Sequence, residues 1–261
     1  MSGRTRPLVI KLGGTTIAEE QGVLGELAIH ARERDIVLVH GGGKRLTEWL
    51  DRLGVEHRFH DGLRVTDDAA LEVALAVLRG VVNAELVAAL RSLGVDAVGL
   101  SGLDGGLLVG ARVAQLGRVV SVSGVRGAII EALFLGGFVP VVAPVAPDPH
   151  GVICNVNADA AAAGLAAGLG ADLVLLTDTD GVRGADGDRV ATLVARDAEG
   201  LIDAGIVSGD MIPKVRAAMT ALVDPDAVAV IADGRAPDAL TRALTDDTFG
   251  TRIRLAAAAA P

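Results

Sequence analysis

Val9-Ile10-Lys11-Leu12-Gly13-Gly14 is an apolar run that carries one lysine and ends in two glycines, and His40-Gly41-Gly42-Gly43 follows a second apolar run in the same way. Glycine tolerates positive φ and lets backbone N–H groups approach an anion closely. A helix that begins after such a turn adds the positive end of its dipole. The two stretches therefore predict two strands that end beside a phosphate site, with Lys11 as a mobile charge next to the amides.

The same pattern continues along the chain, where short apolar runs rich in β-branched residues alternate with longer helix-like segments. This alternation predicts an α/β fold with an open, mainly parallel sheet sandwiched between helices, joined by crossover connections. Leu107–Val122 differs, because its short alternating runs predict an antiparallel hairpin insertion. The predicted strands are Leu8–Leu12, Ile36–Val39, Ala97–Leu100, Val139–Val142, Leu173–Leu176 and Val228–Ile231. The predicted helices are Glu20–Arg34, Lys44–Leu53, Asp67–Ser92, Ala128–Gly136, Asp159–Leu169 and Ile212–Val223.

Composition limits the class of protein. The chain has 261 residues, a formal net charge of −9 and only 2% aromatic residues. Polyanion binding needs a basic surface and single-stranded nucleic acid needs stacking aromatics, so no nucleic-acid partner is expected. Cys154 is the only cysteine, and no pair of the five histidines has metal-ligand spacing, so no disulfide and no structural metal site are expected. No signal region or segment of membrane-span length is recognised, which predicts a cytoplasmic protein with no membrane partner.

Several turns fall where a ligand would bind in such a fold. In an open parallel sheet, ligands lie at the carboxyl ends of the strands. Gly13-Gly14, Gly41–Gly43, Ser101-Gly102 and Thr177–Gly181 all follow predicted strands. Turn formation alone explains any single pair of glycines, but four such endings on one sheet favour a ligand site.

Three polar motifs lie next to predicted helices. Asn155-Val156-Asn157-Ala158-Asp159 precedes an alanine-rich helix, where capping explains Asn157 or Asp159 as well as ligand binding does. Lys214 lies near a helix start, where its charge opposes the helix dipole unless an anion neutralises it. Arg64 lies just outside the cap of the long helix, and its planar fork suits either a carboxylate or the protein surface.

Taken in order, these segments resemble the amino acid kinase family, and within it the branch that acts on N-acetyl-L-glutamate. The resemblance runs from Leu8 to about Ile253. It implies ATP-dependent phosphorylation of the side-chain carboxylate of N-acetyl-L-glutamate, an early step of arginine biosynthesis. The segments that carry it are Val9–Gly14, Val39–Gly43, Gly62–Thr66, Asn155–Asp159 and Met211–Lys214.

The resemblance also implies roles for individual residues. Phosphoryl transfer depends on positioning and positive charge, and a carboxylate nucleophile is already ionised at neutral pH and needs no general base. Asp159 is expected to lie between two lysines and hold both. The catalytic residues implied are Lys11, Lys214, Asp159, Gly13 and Gly14, with Gly42 and Gly43 adding N–H groups.

Substrate and nucleotide are expected on different parts of the chain. Arg64 and Asn155 would clasp the α-carboxylate of the substrate, helped by Gly41, Gly42 and Gly43. ATP would arrive with Mg²⁺ held mainly by its phosphates. The nucleotide-binding residues implied are Thr177, Asp178, Gly181, Gly209, Met211 and Lys214.

The expected organisation is a single domain, 1–261, with two lobes. The lobe of about 1–170 would bind the acyl amino acid, and the lobe of about 171–261 would bind ATP. The resemblance implies a homodimer, and the short segment before the first strand predicts insensitivity to arginine.

Two alternatives remain open. Lys44-Arg45 after the triple glycine, together with Ser101–Gly105 and Ala232–Arg235, resembles the kinase that phosphorylates 2-aminoadipate attached to an acidic carrier protein. Against it, Gly62–Asp67 resembles the acetylglutamate branch, and a surface of charge −9 repels an acidic carrier unless a local basic patch compensates. The second alternative is an inactive ligand-sensing module of the same fold, which the presence of both lysines argues against.

Overall fold

An eight-stranded sheet forms the centre of the protein, which the computed structural model describes over residues 5–13, 17–60 and 62–255. In chain order, the strands of the described residues are β1 (Leu8–Leu12), β2 (Ile36–His40), β3 (Arg58–His60), β4 (Leu63–Val65), β5 (Ala97–Ser101), β6 (Leu108–Arg112), β7 (Val119–Val125), β8 (Val139–Ala143), β9 (Val145–Pro147), β10 (Ile153–Val156), β11 (Asp172–Thr177), β12 (Thr192–Val194), β13 (Ala229–Asp233) and β14 (Thr251–Arg254). The central sheet has the order β12-β14-β13-β11-β1-β2-β8-β5. It is parallel from β13 to β5, and β14 with β12 forms a reversed edge. The predicted open, mainly parallel sheet is confirmed.

Helices cover both faces of this sheet. They are α1 (Ile17–His30), α2 (Gly43–Leu53), α3 (Asp68–Ala74), α4 (Asn83–Ser92), α5 (Ala128–Leu135), α6 (Ala158–Leu169), α7 (Ala195–Asp203), α8 (Met211–Ala221) and α9 (Ala239–Thr245), with a π-helical segment, Leu75–Val82, between α3 and α4. β1 and β2 are buried along their whole lengths, as strands covered on both faces must be.

Side-chain alternation along β1 decides which face each residue serves. Leu8 and Ile10 pack into the core shared with α1, α4 and α9, whereas Val9 packs into the core on the opposite face, with α6 and α8. Lys11 is two residues after Val9 on the strand, so its side chain points to the same face of the sheet, toward α6. The sequence of β1 thus places one charged side chain on the side where α6 begins.

The antiparallel hairpin predicted within Leu107–Val122 is confirmed as β6 and β7. It belongs to a second, four-stranded sheet of order β6-β7-β10-β9, in which β10 runs parallel to β7. β3 and β4 form a separate two-stranded hairpin. These small sheets bring β4 and β10 toward the carboxyl ends of β1 and β2.

The helix predicted over Asp67–Ser92 is confirmed as a run of helical residues without a gap, Asp68–Ser92. Its middle part, Leu75–Val82, is π-helical rather than α-helical. Asp67 caps it by accepting a hydrogen bond from the Ala70 N–H, 2.8 Å away. Over Asp68–Ser92 this helix is long and apolar enough to cross a membrane by length and composition, so the expectation that no segment approaches such a length was wrong. Its buried residues, among them Leu78 and Leu86, pack inside the fold and account for its apolar character.

Short elements and ends are where the sequence prediction differs from the structure. α1 ends at His30 rather than Arg34, because residues 31–33 form a turn after the helix. α7, α9, β12 and β14 were not predicted. They are short, and their positions depend on the long-range order of the sheet rather than on local periodicity: β14 pairs with β13, β12 pairs with β14, α7 contacts β12, and α9 contacts β11 and β13.

Candidate active site

A buried ion pair joins β1 to the start of α6. Lys11 Nζ lies 2.9 Å from Asp159 Oδ1, and the two residues are only 8% and 7% exposed. The contact is an ion pair, and Asp159 Oδ1 accepts no hydrogen bond from the described residues. Asn157 caps α6 by accepting from the Ala160 N–H at 3.0 Å, which leaves Asp159 free to face Lys11.

The two glycine turns lie side by side, because β1 and β2 are paired in parallel. The Gly41 N–H donates to Leu12 O at 2.9 Å, and the Gly13 N–H donates to Leu176 O at 3.0 Å. The Gly13 amide therefore holds the sheet together and is not free for an anion, contrary to the sequence prediction. Gly14 lies outside the described residues.

Gly42 is the position in these turns where glycine is required. Its φ is +132°, and a Cβ there would lie 2.8 Å from Leu78 Cδ2. Gly42 is the N-cap of α2 and supplies no side-chain cap, so the first N–H groups of the helix have no side-chain acceptor from it. That helix start can accept an anion.

A cleft of about 510 Å³ opens between these turns and the small sheets. Among the residues that the sequence singled out, it is lined by Lys11, Gly13, Gly41, Gly42, Gly43, Arg64, Asn155 and Asp159. The structure thus brings together all the predicted substrate residues and most of the predicted catalytic ones. Thr47, Phe59, Leu63 and Asn157 also line the cleft and were not predicted.

Arg64 reaches this cleft from β4. Its Nη2 donates to Thr47 Oγ1 at 2.7 Å and to Gly43 O at 3.2 Å, and its guanidinium lies 4.6 Å from the centroid of the Phe59 ring. Its Nη1 is buried and has no hydrogen-bond partner within the part of the chain that the structure describes. Burial lowers the pKa of Arg64, and the negative charge of Asp51 partly offsets this effect.

Asn155 approaches the cleft from β10. Its Nδ2 donates to Thr66 Oγ1 at 3.2 Å, and the residue is buried. Thr66 is itself fixed, since its N–H donates to Leu116 O at 2.9 Å. The side chain of Asn155 is thereby oriented before any ligand binds.

A second cleft, of about 520 Å³, lies at the carboxyl ends of β11 and β13. Of the predicted nucleotide residues, Asp178, Gly181 and Met211 line it, and Thr177, Gly209 and Lys214 do not. Asp233 and Arg235 line it as well, and Arg235 Nε donates to Asp233 Oδ1 at 2.9 Å. That hydrogen bond lowers the pKa of Asp233. Asp233 and Arg235 were not predicted as nucleotide-binding residues, although the position of Asp233 just after the predicted strand Val228–Ile231 is a signal that could have identified it.

Lys214 lies at the start of α8, as predicted, but its partner is not Asp159. Its Nζ donates to Asp210 Oδ2 and Asp210 O, both at 3.0 Å. This hydrogen bond lowers the pKa of Asp210. The anion that neutralises Lys214 is therefore the carboxylate of Asp210, four residues earlier in the chain. Of the two lysines, Asp159 contacts Lys11 and not Lys214.

His40 lies beneath the triple-glycine turn and is 2% exposed. Its Nδ1 contacts Gly41 O at 2.8 Å, and its Nε2 lies 3.1 Å from Asn83 Nδ2. Asn83 Nδ2 is a donor, so Nε2 accepts and Nδ1 carries the proton. Burial lowers the pKa of His40 from 6.5 to about 4, and the ring is neutral at physiological pH.

This buried histidine predicts a loss of stability in acid. Between pH 6.5 and 4, the unfolded chain binds a proton at His40 that the folded protein does not, so the free energy of unfolding falls as pH falls. The shift corresponds to roughly 3 kcal/mol across that window. Urea titrations of the wild type and of His40→Asn at several pH values should show this slope only in the wild type. Equal slopes in the two proteins would refute the assignment.

Oxygen ligands for a cation are present but dispersed. Within residues 5–13, 17–60 and 62–255, no group of three or more histidine, cysteine or acidic side chains is arranged to hold a metal ion. Asp178, Asp180, Asp210 and Asp233 line the second cleft without forming such a group.

Comparison with known proteins places the chain among its relatives. Residues 6–233 match the model of the amino acid kinase family. The chain is 45% identical to the acetylglutamate kinase of Rubrobacter xylanophilus over 251 residues, covering 95% of this chain and 97% of that protein. It is 39% identical to the acetylglutamate kinase of Dehalococcoides mccartyi, covering 94% and 93%. The chain is also similar to a crystal structure of N-acetylglutamate synthase from Neisseria gonorrhoeae, complexed with coenzyme A and N-acetyl-glutamate. The two superpose with a TM-score of 0.83 at 24% identity, over 98% of this chain and 61% of that one. This likeness shows a shared fold.

Proposed function

The chain belongs to the amino acid kinase family, and from this we propose that it transfers the γ-phosphoryl group of ATP to the side-chain carboxylate of N-acetyl-L-glutamate. The product is N-acetyl-L-glutamyl 5-phosphate, an intermediate of arginine biosynthesis. The relatives do not favour the carrier-linked aminoadipate kinase or the inactive sensing module. The structural observation that carries the assignment is Arg64 Nη1, a buried donor with no hydrogen-bond partner among the described residues, in a cleft that also holds Lys11.

The transfer needs no proton movement. A side-chain carboxylate oxygen forms a bond to the γ-phosphorus while the bond from that phosphorus to the β,γ-bridging oxygen breaks, and ADP leaves. The transition state spreads negative charge over the transferred group and the oxygens on either side. Lys11, held by Asp159, and the uncapped start of α2 supply positive charge and N–H donors at the first cleft.

Arg64 and Asn155 serve the other end of the substrate. We assign them to the α-carboxylate, because a guanidinium whose Nη1 has no partner among the described residues and an oriented amide suit two carboxylate oxygens. Gly41, Gly42 and Gly43 line the wall between this end and the phosphoryl group. The substrate is thereby held at both ends, which aligns its side chain with the nucleotide.

ATP is assigned to the second cleft, next to Asp178, Gly181 and Met211. Thr177, Gly209 and Lys214 adjoin this cleft in the chain. Lys214 would move from Asp210 to the nucleotide phosphates when ATP binds. Mg²⁺ would enter with ATP and be held by its phosphates, with single carboxylates such as Asp210 within the second cleft.

The organisation proposed is one domain with two functional lobes. Residues of about 1–170 contribute the first cleft, and residues of about 171–261 contribute the second. We also propose that the protein is a cytoplasmic homodimer and that it binds neither nucleic acid nor membrane. The dimer rests on the family resemblance, and the net charge of −9 argues against a nucleic-acid partner. Sedimentation of the purified protein tests the dimer.

The experiment that tests the substrate compares matched acceptors. With ATP and Mg²⁺, kcat/KM for N-acetyl-L-glutamate should exceed that for N-acetyl-L-aspartate, one methylene shorter, by roughly 10-fold or more. It should exceed that for carrier-linked 2-aminoadipate by a larger factor. Turnover confined to the carrier-linked substrate would replace the proposed function with the alternative, and Lys44, which lines the first cleft, would then be the residue to examine.

A further inference from the structure

Asn83 is a buried polar residue, 1% exposed, that lies where three strands and a helix meet. Its Nδ2 donates to Val141 O on β8 at 2.9 Å and lies 3.1 Å from His40 Nε2 on β2. Its Oδ1 faces Arg79 Nη1 at 3.5 Å. A Cβ at Gly99 on β5 would lie 2.2 Å from the same Oδ1, so the side chain is closely enclosed. The amide therefore has one orientation.

The π-helical segment Leu75–Val82 brings this residue to the glycine turn. π-Helical turns are rare, occur mostly inside α-helices and are frequently found at functional sites. Here the wider turn places Leu78 and Val82 against Gly42, with Leu78 Cδ2 only 2.8 Å from where a Cβ would be. Asn83 follows directly and meets His40. One helical segment thus contacts the turn at two places, under Gly42 and through the imidazole.

His40 acts on a particular peptide group. Its Nδ1–H donates to the carbonyl oxygen of Gly41, and that carbonyl shares a planar peptide with the N–H of Gly42. The described peptides are all trans, so the two groups point in opposite directions. Holding the carbonyl toward the buried imidazole therefore turns the Gly42 N–H away from it. Gly42 lines the first cleft.

We propose that His40 and Asn83 are positioning residues for phosphoryl transfer: Asn83 fixes the neutral tautomer of His40, and His40 fixes the Gly41–Gly42 peptide so that the Gly42 N–H is presented to the transferring phosphoryl group. This inference rests on the proposed function. The lowered pKa of His40 supports it, because an imidazole that stays neutral keeps the same hydrogen-bond pattern throughout the physiological range.

A pair of substitutions at one position tests the proposal. The amide nitrogen of asparagine takes the place of Nδ1, and that of glutamine takes the place of Nε2, so only His40→Asn keeps a donor to Gly41 O. His40→Gln should lower kcat by roughly 10- to 10²-fold, with KM for both substrates changed by less than about threefold. His40→Asn should keep kcat within about threefold of the wild type. A loss of packing or stability alone would lower kcat equally in both variants, which would overturn the proposal.

Controls separate this inference from the proposed function. His30→Gln makes the same substitution at a histidine whose Nε2 contacts Thr241 Oγ1 at 3.0 Å, outside both clefts, and should leave kcat unchanged. Wild-type protein that does not phosphorylate N-acetyl-L-glutamate overturns the proposed function and this inference with it. Wild-type turnover with equal kcat in the two His40 variants overturns this inference alone.

A second variant covers the case in which His40→Gln does not fold. Asn83→Leu keeps the branched shape and the number of heavy atoms of the side chain and removes the donor to Nε2, so either tautomer of His40 becomes possible. We expect kcat to fall by several-fold, with KM unchanged. The double variant with His40→Asn should lose less than the product of the single effects, since the two residues act as one unit. Unchanged kcat in Asn83→Leu would refute the proposal.

Discussion

Replacing Lys11 by methionine is expected to lower kcat by roughly 10²- to 10³-fold, the range measured when a single transition-state donor is removed. Methionine keeps the length and the apolar stem of the side chain but has no charge. Lys11 lines the first cleft, and its ammonium is the positive charge that β1 delivers there. KM for N-acetyl-L-glutamate should change less than kcat, because the charge that Lys11 meets develops in the transition state.

Stability has to be separated from catalysis in this variant. Removing Lys11 leaves Asp159 buried without its counter-ion, and breaking one side of a buried pair costs about 3–5 kcal/mol. The double variant Lys11→Met/Asp159→Asn removes both charges, so its thermal midpoint should recover toward that of the wild type. Its turnover should remain low. Turnover of Lys11→Met within about tenfold of the wild type would exclude Lys11 from the mechanism.

Replacing Arg64 by lysine is expected to raise KM for N-acetyl-L-glutamate by roughly 10- to 10²-fold, because hydrogen bonds to a charged group contribute about 1.5–3 kcal/mol each. Lysine keeps the positive charge but cannot donate to Thr47, Gly43 and a carboxylate at once through a planar fork. KM for ATP should be almost unchanged, since Arg64 does not line the second cleft.

Arg58→Lys is the matched control for this variant. Arg58 lies on β3 of the same hairpin, opposite Val65, and is exposed. Its replacement should leave both KM values unchanged. An Arg64→Lys variant with unaltered KM for N-acetyl-L-glutamate would remove Arg64 from the substrate site.

Much of the site follows from the sequence because it is built from local signals at strand ends. β1 and β2 are apolar runs that end in glycine, and their parallel pairing necessarily brings Lys11 near Gly41 and Gly42. Alternation along β1 then points Lys11 toward the helix that carries Asp159. No side-chain contact needs to be known to reach this arrangement.

The parts that could not be predicted depend on competition between partners. Lys214 has a carboxylate one helical turn earlier, and in the structure this near partner, Asp210, binds the ammonium instead of Asp159. The Gly13 N–H likewise bonds to Leu176 O on the neighbouring strand rather than facing the cleft. A sequence motif shows which groups are present, but it does not show which of several acceptors a donor will take.

The contact of His40 with Asn83 is even harder to predict from the sequence. The two residues are separated by 43 positions, and Asn83 directly follows the π-helical segment between α3 and α4. The apolar periodicity of Asp67–Ser92 is that of an ordinary helix, so it predicts the helix but not the register of Asn83.

The most direct test of the central claim traps the product of the reaction. Purified protein is incubated with ATP, Mg²⁺, N-acetyl-L-glutamate and hydroxylamine, which converts an acyl phosphate to a hydroxamate, and the hydroxamate is identified by mass spectrometry against synthetic standards. The account predicts the side-chain hydroxamate of N-acetyl-L-glutamate, formed in step with ADP and formed roughly 10²- to 10³-fold more slowly with Lys11→Met. ADP formation without this hydroxamate, or formation of the α-carboxyl hydroxamate, would contradict it.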